Sequence, residues 1–422
     1  MLAARASTRN ASRIVRNFAT VVESAGVKVA ALDHGQPTAA VTFLVKAGSR
    51  FENKPGVAHA LKNFAFKSTS SRSALGAIRE SELYGGVLSA SLTREHLALT
   101  AEFLRGDEPF FVDLLSSFIT SAKFTRHELE EYVIPVIESE STAASANPGT
   151  KAIELAHALA FRSGLGSPLF ASQHSFVTTE DIKAFASSAF NKGNIAVLGT
   201  GIDQAVLSKL VEKAFASASA GPAPTSSAST YFGGETRVES HGGPQTVFIG
   251  YGVAGPSDPA IAALSAYLSP EPSLKWSKGL SPLAGIPEGT SIQSVYLPYS
   301  DATLFGLLVQ GTTAAGVKEA GKLAVQALKA AGSAKAEDVK KAVAKAKFAA
   351  ASAVDGREGI VNVFGPKVFA GSETSLESAL SSLDKVDGSA FSKAASTLLK
   401  GKPTYVVVGD VQTLPYSDEL GL

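Results

Sequence analysis

The chain has 422 residues, 45% of them apolar and 18% charged, with a formal net charge of +1. That length accommodates two or more domains with separate cores, and the near-zero charge gives no electrostatic case for a nucleic-acid partner. No cysteine occurs and the one methionine is Met1, so thiolate and thioether metal sites, disulfides, covalent haem attachment and iron–sulfur ligation are excluded.

In chain order, residues 1–18 carry Arg5, Arg9, Arg13 and Arg16 among Ala, Ser and Thr, and the first acidic residue is Glu23. Arg-rich, Ser-containing and acid-poor composition is that of a mitochondrial transit peptide, with Arg16-Asn17-Phe18 as a processing site. Its removal leaves 35 basic against 38 acidic residues. A strand is predicted over Ala40–Gly48 by alternation. Two more, over Gly86–Leu92 and His96–Leu104, flank a hairpin-length gap. A helix starting near Glu108 places Phe111, Leu114, Leu115, Phe118 and Ile119 at helical spacing. Another starts after Thr125, with Glu128 completing a capping-box pattern. Asn194–Gly201 closes this half as a strand. Residues 216–230 are rich in Pro, Gly, Ser and Ala without a periodic apolar face, as expected of a linker.

The second half repeats the order. Strands are predicted over Thr246–Gly252, Ser291–Tyr296, Ala302–Gln310 and Thr404–Asp410, with helices over 315–331 and 335–353 between the last two. Landmarks recur at roughly 205 residues, which marks a duplicated unit. Strands grouped in hairpins point to mostly antiparallel sheets with helices packed on one face, an α+β class. The expected divisions are a transit peptide at 1–18, a domain at 19–213, a linker at 214–231 and a second domain at 232–422.

One segment bears on chemistry. His59-Ala60-Leu61-Lys62-Asn63 has the frame of the inverted zincin motif, H-x-x-E-H, in which two histidines bind zinc and a glutamate is the base. Here an ammonium stands where a proton acceptor is needed, and an amide replaces the second imidazole. His127-Glu128-Leu129-Glu130-Glu131 lacks the second histidine of H-E-x-x-H. His96, His157 and His174 stand at no motif spacing. Gly199-Thr200-Gly201 lacks the third glycine and the βαβ context of a dinucleotide site. No G-x-S-x-G elbow occurs.

Phe43–Glu52 followed by Gly56-Val57-Ala58-His59, together with Tyr299–Gly306 in the second half, resembles the mitochondrial processing peptidase and cytochrome bc1 core-protein family of M16 metallopeptidases. The similarity runs through nearly the whole chain after residue 18. Ser273–Pro282 is similar to the core-protein branch in a fungal form. The resemblance implies a third zinc ligand on a later helix, where Glu131 and Glu138 stand at a spacing found in the family. Pro135 lies between them, and proline inside a helix bends it, which is expected to turn them off the metal position. Lys62 and Asn63 break the peptidase motif. The scattered glycines of Gly279–Gly289 do not match the glycine-rich loop of the non-catalytic processing subunit.

The resemblance therefore implies a subunit with no catalytic residue, metal or cofactor of its own on the matrix side of the inner membrane. Its implied partners are a homologous core 1 subunit, cytochrome b, cytochrome c1 and the Rieske subunit. The rival expectation is a processing-peptidase subunit, either a zinc enzyme or a presequence-binding partner.

Overall fold

The computed structural model describes residues 21–33, 35–172, 175–216, 218, 221, 226–271, 281–371 and 376–422. The predicted transit peptide, most of Ser273–Pro282, His174 and part of the linker lie outside them. The chain divides into two compact units, each drawing on three stretches of sequence. The first holds residues up to Ser139, Leu169–Ser226 and Ser352–Ala379. The second holds Glu140–Pro168, Ser227–Ala351 and Leu380–Leu422.

In the first unit, β1 (Val22–Ser24), β2 (Val27–Leu32), β3 (Thr38–Val45), β4 (Val87–Leu92), β5 (Leu97–Leu104) and β6 (Ile195–Thr200) form one sheet in the order β1-β2-β6-β3-β5-β4. Only β2 and β6 run parallel. The β4–β5 turn is closed by Thr93, whose N–H reaches the His96 carbonyl and whose Oγ1 accepts the His96 N–H. Alternation sends Leu97, Leu99, Ala101 and Phe103 to one face, where they meet Phe111, Leu114, Leu115 and Phe118 of the Glu108–Ser121 helix. Phe103 and Phe111 stack with centroids 4.4 Å apart. Gly86 is required beside them, because a Cβ there would lie 2.2 Å from the Phe111 ring. To this one-face packing the structure adds a helix on the opposite face. Phe364, Val368 and Phe369 of Arg357–Ala370 cover Ala30, Leu44, Ala98, Ala196 and Leu198.

In the second unit, β7 (Gly234–Glu239), β8 (Gln245–Ala254), β9 (Thr290–Pro298), β10 (Ala302–Gly311) and β11 (Thr404–Gly409) form a sheet in the order β7-β11-β8-β10-β9. Again one pair, β7 with β11, is parallel. The topology matches β2-β6-β3-β5-β4 strand for strand. Helices Pro259–Leu268, Ala314–Ala330 and Gly388–Lys400 share one core with one face of this sheet. Helix Pro148–Phe161 covers the other, setting Ala152, Ala156 and Ala160 against Phe248, Leu304, Leu308, Val406 and Val408. Alanine at every fourth position lets the helix backbone approach a sheet closely. Each sheet thus receives its second cover from the opposite half of the sequence.

Candidate functional site

The Val57–Asn63 helix carries the motif residues, and everything around it fixes how they stand. It starts at Gly56, which is left-handed with φ 91° and offers no side-chain cap. Glu52 supplies the cap instead: its Oε2 accepts the N–H groups of Gly56 and Ala58, both at 3.1 Å. Five consecutive residues, Val57 to Leu61, are buried, so the helix is enclosed on more than its apolar stripe. Burial pushes the Glu52 carboxyl up to about 7, against the pull of the Ala58 and Gly56 N–H groups and of Arg94. Its Oε1 is buried without a hydrogen-bond partner. Close by in sequence, Arg50 and Glu95 form a buried ion pair at 2.8 Å.

His59 is 2% exposed. Its Nδ1 accepts the backbone N–H of Ala171 at 3.2 Å, and the Phe170 ring meets it edge-on at 5.5 Å. The same stretch touches the helix start. A Cβ on Gly56 would lie 2.7 Å from the Ala171 Cβ, so that position needs glycine for room as well as for its φ. Ser175 Oγ donates to the Pro55 carbonyl, and Lys54 pairs with Asp181 at 2.6 Å.

The other motif residues go elsewhere. Asn63 turns its amide back, Nδ2 donating to the His59 carbonyl at 3.2 Å. Lys62 is half-buried on the same helix. Glu131 is exposed, its Oε1 3.0 Å from His127 Nδ1, and Glu138 is exposed as well. Between Glu128 and Ile134 the helix widens into a π turn, Leu129–Val133, with the Ile134 N–H reaching the Leu129 carbonyl. This wide turn directly precedes Pro135, whose ring needs space and whose nitrogen offers no donor. The structure brings His59, Lys62 and Asn63 together on one helix and leaves both glutamates at the surface. Among the described residues no three His, Cys, Asp or Glu side chains converge as a metal-binding group.

Zinc does not fit His59 as it stands. A neutral imidazole has one lone pair for a metal, and here that lone pair faces the Ala171 N–H. A second buried histidine is engaged too: His157 Nδ1 donates to Ile153 O and Nε2 accepts from Tyr299 Oη, both at 2.7 Å. Sequence reasoning missed Glu52, whose signal was an acidic residue just upstream of a glycine-started helix. It also missed the surroundings of His96, which stacks on Phe369 at 4.9 Å. Burial and the nearby Lys46 push that imidazole down to about 4.

Comparison with known proteins follows the same ground. Residues 28–173 match the model of Insulinase (Peptidase family M16), a stretch running from β2 through the His59 helix. Cytochrome b-c1 complex subunit 2 of Cryptococcus neoformans var. grubii is 44% identical, covering 99% of this chain and 98% of its own length. The chain belongs to the mitochondrial cytochrome b-c1 complex subunit 2 family. Within that family the protein so named from Yarrowia lipolytica is 38% identical over 98% of this chain and all of its own. The human one is 28% identical over 94% and 90%. The likeness to subunit 2 therefore takes in both units and not the M16-matched stretch alone.

Proposed function

We propose that the chain is a non-catalytic core subunit of the mitochondrial respiratory complex III, the cytochrome b-c1 complex, serving its assembly and stability on the matrix side of the inner membrane. The observation that carries this reading is similarity to named subunit 2 proteins along almost the entire length of both partners. The chemistry of the Val57–Asn63 helix supports it. An ammonium at Lys62 cannot accept a proton from water, and the amide of Asn63 is a poor zinc ligand. In this reading residues 1–18 are a leader, and 19–213 and 232–422 are duplicated halves joined by 214–231. The partners are a homologous core 1 subunit, cytochrome b, cytochrome c1 and the Rieske subunit, and attachment to the membrane runs through them. The work is association, on the scale of obligate interfaces that bury about 2,000–5,000 Å².

Isolating respiratory complexes in mild detergent tests the proposal. The chain is expected to migrate with the haem-bearing subunits, and migration free of them overturns it. Chelator-sensitive cleavage of a presequence peptide by the purified chain would replace it with the processing-peptidase reading.

A further inference from the structure

The loss of the zincin motif is usually legible as two substitutions, yet the geometry around His59 contains a third element that neither substitution explains. Ala171 and Phe170 belong to a stretch well over a hundred residues from the helix, and they close on its one remaining imidazole. The backbone N–H of Ala171 points at Nδ1 from 3.2 Å. An acceptor at Nδ1 leaves the ring proton on Nε2. Nδ1 then has its lone pair engaged and Nε2 has none to offer. Metal-binding histidines have the opposite arrangement: one nitrogen ligates while the other donates its proton to a carbonyl or carboxylate. The approach is also too close to yield easily, because Ala171 sits against Gly56 with no room for a side-chain carbon between them. Ser175 ties the same stretch to the Pro55 carbonyl.

We infer that the Phe170–Ala171 segment is a built-in plug that holds His59 as the Nε2–H tautomer, so that this helix cannot take a divalent cation even when its second histidine is restored. The plug is an autoinhibitory contact between the backbone of one segment and the side chain of another. It acts independently of Lys62 and Asn63, which means that the former metal position is closed twice.

The test uses the full chain and zinc alone as the probe. Asn63→His places imidazoles at 59 and 63, one helical turn apart as in the zincin helix. This variant is expected to bind zinc no more tightly than the unsubstituted chain. Adding Ala171→Pro removes the N–H that engages Nδ1, and is expected to tighten zinc binding by about 10-fold or more, the scale on which outer-shell partners act. Equal zinc affinity of the two variants overturns the plug. Should the proline variant fail to fold, nitrogen-15 NMR of the unsubstituted chain decides, with the His59 signals assigned by His59→Gln. The Nε2–H tautomer is expected, and an Nδ1–H tautomer overturns the inference. A His59 held by Ala171 is compatible with membership of the respiratory complex or with none, so this experiment and the co-migration experiment fail separately.

Discussion

The Val57–Asn63 helix of the first unit and the Pro259–Leu268 helix of the second follow topologically matching strands, β3 and β8. They bury different chemistry. The second is capped by Asp258, whose Oδ1 accepts the Ala260 N–H at 2.8 Å, and it buries Ala260, Ile261, Ala263, Leu264 and Leu268. The first is capped from outside the helix by a half-buried carboxylate and buries an imidazole beside its apolar residues. A helix that buries only hydrocarbon asks nothing of its neighbours beyond shape. A helix that buries a histidine needs a donor or acceptor aimed at it, and the loop at Ala171 provides one. The same fold position thus buries apolar side chains behind a local Asp258 cap in one unit and adds a polar contact with a distant backbone in the other.

Four measurements break or sharpen this contrast. The largest expected effect comes from what the two helices share. Leu61 and Leu264 are both fully buried, so Leu61→Ala and Leu264→Ala are each expected to lower stability by about 2–5 kcal/mol in denaturant titrations. A much smaller loss at Leu61 would mean that the polar groups, not the hydrocarbon, hold the first helix. Next is Glu52. Its folded carboxyl keeps a proton up to about 7, whereas an unfolded one releases it near pH 4. Proton binding therefore favours the folded form at low pH, and that contribution is lost as pH rises through 7. Glu52→Gln keeps an acceptor for Gly56 and Ala58. It is expected to match the unsubstituted chain near pH 5 and exceed it by on the order of 1–3 kcal/mol near pH 8. A parallel pH profile for the two proteins would refute the buried-carboxylate picture.

Asp258→Ala, which removes an ordinary helix cap, should cost about 1 kcal/mol in the same titrations. A loss several-fold larger would mean that the second helix, too, depends on its polar cap rather than on its apolar face. The smallest effect belongs to Glu131. It is exposed and pairs only with a neighbouring histidine across one helical turn. Glu131→Ala is expected to leave both the melting temperature and the His59 NMR signals unchanged, and a shifted His59 signal would place that carboxylate at the motif helix after all.

The α+β class and the duplication were legible because the central strands alternate cleanly. Ala40–Gly48, His96–Leu104 and Ala302–Gln310 each send apolar side chains to a core, and the structure places β3, β5 and β10 there. The Glu108–Ser121 helix followed from the spacing of Phe111, Leu114, Leu115, Phe118 and Ile119, all of which are buried. Other elements had weaker local signals. β1 is three residues long, and β7 alternates charged side chains with Thr and Val. The Arg357–Ala370 helix contains Gly359, Gly365 and Pro366, which read locally as breakers. The bounds of the motif helix, Val57–Asn63, were not predicted, though its residues His59, Lys62 and Asn63 were readable as a broken motif. The contact that decides what His59 can do was not, because its donor is a main-chain N–H 112 residues away, and main-chain groups carry no sequence signature.

The helix that covers the outer face of the first sheet has a consequence for how the molecule is made. Lys28 of β2 donates to the carbonyl of Phe369, 341 residues further along the chain. A polypeptide emerging from its N-terminus has all six strands of that sheet long before Phe364, Val368 and Phe369 exist to shield them. Until then Ala30, Leu44, Ala98, Ala196 and Leu198 face water as an apolar sheet surface, the kind of surface on which incomplete chains aggregate. Contacts of such long range are slow to form. A chaperone that shelters half-finished sheets therefore has its period of greatest use here between completion of β6 and arrival of the last third of the chain.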